Sequence, residues 1–461
     1  MVFSSLIFLF IFLPLFLAAY YISPRCMRNF IFFAGSLIFY AWGEPIYVLV
    51  MLFSAMWDYC MGLLIAKNRH RKQIARLGLI SSNAVKIALL GFFKNFNFFM
   101  DSLNHTFGLN ISFLTIALPI GISFYTFQTM SYTIDLYRGK IDVQKNFISF
   151  GAYVAMFPQL IAGPIVTYDK VAKELDHRTE TVGQFADGVL LFIQGLGKKV
   201  LIANQIGLLW ETMHTTPPEE LSVLGAWLGM IAFALQIYFD FSGYSDMAVG
   251  LGKMFGFELP KNFNYPYTAK SVSEFWRRWH MTLTSWFRNY VYIPLGGNRV
   301  RPLKLYRNLL IVWFLTGFWH GAGWNFIVWG LYFAFFIILE RIFLQKLLNR
   351  IPIWLAHGYL LLVVLLGWVF FASDSLSDAG VYLKTMFGLA GTDWVNSTAL
   401  YSLSNYFMIF LFGFIAATPL VWRYFQKLSF WFQLLLYVLL LLICTAYLVD
   451  ETYNPFLYFR F

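Results

Sequence analysis

The chain has 461 residues, of which 59% are hydrophobic, 21% aromatic and only 12% charged. A soluble domain carries about twice that share of charge, so composition excludes an ordinary soluble enzyme and indicates an all-α polytopic membrane protein. The formal charge of +11, from 34 Lys and Arg against 23 Asp and Glu, reads as cytoplasmic loops under the positive-inside rule, with no basic tail or motif for nucleic acid.

Residues 1–22 lack a basic n-region and a small-residue cleavage site, and Arg25 and Arg28 follow them. They read as a retained helix over 5–22 with the N-terminus outside. Cys26, Cys60 and Cys444 lie in or beside apolar segments, without disulfide or zinc spacing. A short helix is predicted over 29–41. A span over 47–66 then returns to the densest basic cluster, Lys67, Arg69, Arg71, Lys72 and Arg76. Residues 77–93 cross outward to a polar loop with Asp101 and His105, and 113–134 cross back.

The run 150–165 contains Pro158, Gly163 and Pro164. Non-helical backbone at membrane depth must be buried in protein or line a cavity, so this run reads as re-entrant. Residues 184–210 are helical but carry Lys198 and Lys199 mid-run, and Asp240 and Asp246 intrude into a long apolar helix over 221–254. For these carboxylates, pairing with a basic residue ranks ahead of orienting a histidine. Spans over 324–344, 353–371, 406–421 and 430–448 complete the set. No internal repeat relates the two halves, which weakens a transporter reading.

Residues 262–330 carry the chemistry. Ser271 followed by Glu274 fits a capping box and starts a helix. On it Trp276, Trp279/His280, Leu283 and Phe287 share one face at three- and four-residue steps. Glu274 can reach Arg277 and Arg278, and Pro294 with Gly296 and Gly297 ends the element. The apolar run 308–319 amounts to about 18 Å of helix, against roughly 30 Å of hydrocarbon. Gly321 and Gly323 then interrupt it. Entering from the basic loop 299–307, such a run leaves His320 near mid-membrane, between two half-length limbs, although a tilted full span also fits. An ionisable side chain at that depth is by default functional.

Several motifs carry a resemblance: Tyr-Phe-Asp-Phe-Ser-Gly-Tyr-Ser-Asp-Met (238–247), Asn-Phe-Asn-Tyr-Pro-Tyr (262–267), Glu-Phe-Trp-Arg-Arg-Trp-His (274–280) and Trp-His-Gly-Ala-Gly-Trp-Asn (319–325). Upstream stand Pro-Ile-Gly-Ile-Ser-Phe-Tyr-Thr-Phe-Gln (119–128) and Phe-Pro-Gln-Leu-Ile-Ala-Gly-Pro-Ile (157–165), and downstream Asn-Pro-Phe-Leu-Tyr-Phe-Arg-Phe (454–461). In this order they resemble the membrane-bound O-acyltransferase family, in its alginate O-acetylase-like branch. One departure is Ala372, where many relatives carry arginine.

The resemblance implies a single domain over 1–461 with its catalytic centre within 238–330. It implies a ring of about ten to twelve transmembrane helices, with re-entrant segments, around a thin central site. It assigns His320 as general base and His280 as the supporting histidine. A buried neutral imidazole suits proton removal from a hydroxyl. No serine or cysteine sits in a nucleophile setting, so transfer is read as direct.

Trp319 and Asn325, with the amides of 321–323, are candidates for substrate and oxyanion contacts. Asp240 is a further binding candidate. Arg277, Arg278 and Arg299 are candidates for donor phosphates, in equal standing with plain positive-inside anchoring. A metal or haem pairing of the two histidines lacks any further ligand spacing.

The expected activity moves acetyl from a thioester, acetyl-CoA or a carrier's phosphopantetheine, with no resident cofactor. The acceptor is an extracytoplasmic polysaccharide such as alginate or peptidoglycan. An extracytoplasmic transferase or esterase-like partner is expected, at the bacterial inner membrane among its lipids. The alternatives are D-alanyl transfer to teichoic acid and, in another class, a transporter or channel.

Overall fold

The computed structural model describes residues 1–450 and Leu457. Every regular element among them is helical, and the chain is a multi-pass membrane protein. Among the described residues, seven helices are long and apolar enough to cross a bilayer: Tyr47–Lys67, Lys72–Phe107, Val223–Met254, Trp324–Leu348, Ile353–Ala372, Ser397–Ala416 and Phe430–Asp450. Phe8–Ile22 is a shorter apolar helix. Their outward residues are apolar, for example Leu435, Val438 and Leu442 on Phe430–Asp450, as a lipid-facing surface requires. The chain forms two compact units, residues 1–192 with 245–260, and residues 193–244 with 261–461.

In the first unit, Tyr47–Lys67 packs on Lys72–Leu90 and on Ile122–Tyr137, a helix buried along nearly all its length. Where the sequence places a loop after residue 93, Lys72–Phe107 instead runs on for 36 residues through a π-turn at Gly91–Asn95. Asp101 and His105 therefore sit on helix, one turn apart. The apolar run from 113 becomes helical only at Ile122. Gly121 takes φ +76°, and a Cβ there would lie 2.4 Å from the Leu160 carbonyl oxygen, so the turn needs glycine.

Over 150–165 the backbone is broken, as the prolines and glycine suggest. Phe147–Ala155 stops at Met156, one turn follows at Phe157–Leu160, and the rest is irregular. The Tyr153 hydroxyl secures the break by donating to the Val166 carbonyl at 3.0 Å, and Gln159 Nε2 donates to the Tyr153 carbonyl at 2.7 Å.

In the second unit, Pro302–His320 and Trp324–Leu339 pair as a helical hairpin. A Cβ on Gly317 would lie 2.3 Å from the Phe326 carbonyl oxygen, and one on Gly330 2.3 Å from that of Trp313. Small residues let the two backbones approach this closely. The first limb is longer than the run counted from residue 308. It starts at Pro302, whose missing N–H costs nothing at a helix start, and its 19 residues span about 28 Å. The half-length limb is thereby corrected: only its apolar portion is short. Ser397–Ala416 likewise begins nine residues before the expected 406, capped by Asn396.

Candidate active site

Sequence spacing predicts one helix running through Trp276, Trp279/His280, Leu283 and Phe287. The structure keeps its start and breaks its middle. Ser271 Oγ accepts the Glu274 N–H at 3.2 Å. Glu274 Oε2 accepts the Lys270 N–H at 2.9 Å, one residue further back than a standard capping box. A second carboxylate, Glu340, is 2% exposed. It accepts the Val272 N–H at 2.6 Å, the Ser273 N–H at 2.9 Å and the Tyr359 hydroxyl at 3.2 Å. Amides that a helix start leaves open are thus bound by side chains from near and far.

The helix Val272–Arg278 then ends. Trp279 is extended, His280 is left-handed at φ +42°, and Met281–Phe287 begins anew. The cause lies eighteen residues upstream. The Asn264 N–H donates to the Arg278 carbonyl and the Met281 N–H donates to the Asn262 carbonyl, both at 2.9 Å. Neighbouring backbone therefore replaces the helical bonds that the break removes. A non-glycine residue in this conformation costs about 1–3 kcal/mol and persists where the surroundings over-determine it, typically at functional sites.

His280 is 1% exposed and His320, the last residue of Pro302–His320, is 6% exposed. The Trp319 ring lies between their contacts: its centroid is 6.2 Å from the His280 ring and 4.9 Å from the His320 ring. Edge-on rings complete the enclosure. Phe241 meets His280 at 4.8 Å, while Trp329 and Phe371 meet His320 at 5.0 and 5.3 Å. Behind them Trp279 packs on Trp368 at 5.1 Å and Trp276 on Trp329 at 5.6 Å.

His280, on the break between two short helices and outside the seven spans, has its pKa lowered by burial to about 3. Its Nδ1 lies 3.2 Å from Asn262 Oδ1, which also accepts the Thr282 N–H at 3.2 Å and the Thr282 hydroxyl at 3.0 Å. Burial thus keeps His280 neutral, with one ring nitrogen a hydrogen-bond acceptor.

The remaining candidates divide. Trp319 packs against both histidine rings. Asn325 is buried, and its Nδ2 donates to the carbonyls of Ser373 at 2.8 Å and Phe370 at 3.3 Å, fastening the start of Trp324–Leu339 to the end of Ile353–Ala372. Asp240 pairs with Lys199 at 2.7 Å and accepts the Leu457 N–H at 2.8 Å. That is the pairing the sequence favoured, and it settles the awkward mid-helix lysine at 199. Of the stretch 454–461 only Leu457 lies within the described residues.

Arg278 is held by Glu274 at 2.6 Å and faces Thr268 Oγ1 at 3.2 Å, whereas Arg277 and Arg299 are exposed. The Gly321–Gly323 turn is as tight as its glycines imply, since a Cβ on Gly321 would strike the Phe326 ring. Trp324 is 56% exposed and stands outside the enclosure. Asn262, Phe241, Trp368, Phe371 and Glu340 were not singled out by sequence. Asn262 and Phe241 do stand inside quoted motifs, 262–267 and 238–247, which was the available signal.

Residues 139–375 match the membrane-bound O-acyltransferase family. The probable alginate O-acetylase of Azotobacter vinelandii is 41% identical over 93% of this chain and 87% of its own length. The peptidoglycan O-acetyltransferase of Helicobacter pylori is 35% identical over 85% of this chain and 80% of its own. The teichoic acid D-alanyltransferase of Bacillus subtilis is 29% identical over 59% of this chain and 70% of its own. With two buried histidines enclosed by aromatic rings inside the matched region, this chain belongs to the membrane-bound O-acyltransferase family and is an O-acyltransferase.

Proposed function

We propose that the protein transfers acetyl from a cytoplasmic thioester to hydroxyls of an extracytoplasmic polysaccharide of the alginate or peptidoglycan kind. The carrying observation is the pair of buried imidazoles sharing the Trp319 ring. In the proposed step His320 takes the hydroxyl proton as that oxygen attacks the thioester carbonyl carbon. The C–S bond breaks, and the departing thiolate takes up the proton. His280 supports this chemistry, and the low-dielectric aromatic enclosure strengthens each polar contact made there.

The donor is a substrate, acetyl-CoA or a carrier-borne acyl group, and no resident cofactor takes part. Arg277 and Arg299 are exposed and carry the proposed contact to donor phosphates, with Arg278 held beside them in sequence by Glu274. In this reading the whole chain is one catalytic domain in the bacterial inner membrane, with lys- and arg-rich segments 67–76 and 299–307 facing the cytoplasm. Ten to twelve crossing or re-entrant helices ring the site, and an extracytoplasmic partner receives or completes the transfer.

D-alanyl transfer is the second reading, less favoured because the D-alanyltransferase relative aligns to a smaller share of this chain at lower identity. Membranes containing the protein, given acetyl-labelled CoA and separated polysaccharide, should label the polymer. Label from D-alanyl carrier protein alone would select the second reading, and no covalent label from either would remove both.

A further inference from the structure

Asn262 is 1% exposed and its side-chain oxygen receives three groups. Two are the N–H and the hydroxyl of Thr282; the third is His280 Nδ1. A backbone N–H only donates, so the atom facing Thr282 must be the amide oxygen, and the amide cannot be turned the other way. An oxygen that only accepts requires a proton on His280 Nδ1. A neutral imidazole with that proton has its lone pair on Nε2.

The same amide leaves its Nδ2 without a partner among the described residues. A buried asparagine placed for stability alone would pair both ends. The left-handed His280 backbone fits the same account, because it is held by backbone bonds from the Asn262–Asn264 stretch.

We propose that Asn262 is a positioning residue for acyl transfer, fixing His280 in the Nδ1–H tautomer so that Nε2 is its hydrogen-accepting nitrogen. His280 in this state accepts a hydrogen bond and does not donate one to a developing oxyanion. The oxyanion must therefore be met by other donors, and the supporting work of His280 is to hold a hydroxyl or thiol proton in place. The tautomer follows from the hydrogen-bond geometry and from the burial that keeps the ring neutral, and only its kinetic consequence rests on the acyl-transfer reading.

The test has a spectroscopic arm and a kinetic arm. Nitrogen-15 NMR of histidine-labelled whole protein in detergent, with His280 assigned by loss of its signals in His280→Gln, should show a protonated Nδ1 and an unprotonated Nε2. A protonated Nε2 in the wild type would overturn the proposal without touching the acyl-transfer reading. Asn262→Ser, which shortens the side chain out of reach, should mix the tautomers and lower kcat roughly ten- to hundredfold, the range seen when an orienting partner is lost. The KM for donor should stay near wild type.

Asn262→Asp keeps an acceptor for Nδ1 and should recover much of that kcat. Asn262→Asp as slow as Asn262→Ser, or an unchanged tautomer in Asn262→Ser, would reduce Asn262 to a packing residue. If the wild type transfers no acyl group, the proposed function fails while the NMR arm still decides the tautomer.

Discussion

Between Tyr47–Lys67 and Lys72–Leu90 the chain buries an ion pair, and around Trp319 it buries two imidazoles; both sets are shielded from solvent. Lys86 Nζ lies 2.6 Å from Asp58 Oδ2, and its other bonds go to the Ser54 carbonyl and hydroxyl. Ser82 donates to Asp58 Oδ1 at 2.7 Å and lies 3.2 Å from Thr133 Oγ1. Opposite charges there answer each other, and the backbone around them is regular helix. At the histidines the enclosure is aromatic, and the backbone at His280 is left-handed. The first arrangement needs nothing beyond mutual pairing to explain it, whereas the second is the one to which the proposed function assigns chemistry. A polar group kept for chemistry is one whose surroundings hold its proton state and its orientation at some cost in strain.

The largest effect should come at the histidines. His320→Ala should cost transfer about a hundred- to ten-thousand-fold, the usual worth of general-base catalysis, with the protein still inserted. His280→Ala should lose less, since in the proposed step it only supports the base. Polymer labelling per inserted molecule checks both, and equal, modest losses would erase the distinction between the two sites.

The ion pair should behave the opposite way. Lys86→Met leaves a buried carboxylate and should destabilise the fold by about 3–5 kcal/mol. Asp58→Asn combined with Lys86→Met should recover most of that. Thermal unfolding in detergent reads the difference, and turnover per folded molecule should stay near normal. A double variant that is stable but inactive would move the pair into the catalytic machinery.

Between these extremes lies Glu340. Glu340→Gln keeps one acceptor but must leave a donor facing the amides of Val272 and Ser273, at a cost of about 1–3 kcal/mol. It should lower both unfolding temperature and activity, because Val272–Arg278 leads directly into His280. The smallest effect belongs to the exposed arginines. Exposed ion contacts are worth about 0.2–1 kcal/mol each, so Arg277→Gln with Arg299→Gln should raise the KM for thioester a few-fold and leave kcat alone. An unchanged KM would return them to topology signals.

Local chemistry was legible in the sequence. The Ser271 cap, the helix end at Tyr292 just ahead of Pro294, Gly296 and Gly297, the glycine turn at 321–323 and the Asp240 pairing all follow from residues within a few positions, or from the cost of a lone buried charge. What stayed hidden depends on distant partners. The aromatic spacing of 276, 279, 283 and 287 continues smoothly through His280, and only the backbone of 262–264 reveals that the helix breaks there. Phe371 and Trp368 reach the site from a helix some fifty residues on, and Glu340 reaches a helix start 68 residues earlier in sequence. The run from 113 looked helical because composition alone does not register that Gly121 must turn beneath the Leu160 carbonyl.

Transfer by His320→Gln protein tests the central claim most directly, measured in a single turnover with labelled thioester and normalised to inserted molecules. Glutamine keeps much of the size and some of the hydrogen bonding within the Trp319, Trp329 and Phe371 enclosure, but it has no titratable nitrogen. If His320 is the base, the variant inserts normally and transfers almost as poorly as His320→Ala. Near-normal transfer by well-inserted His320→Gln, with the alanine variant failing to accumulate, would make His320 a structural residue and place the base elsewhere.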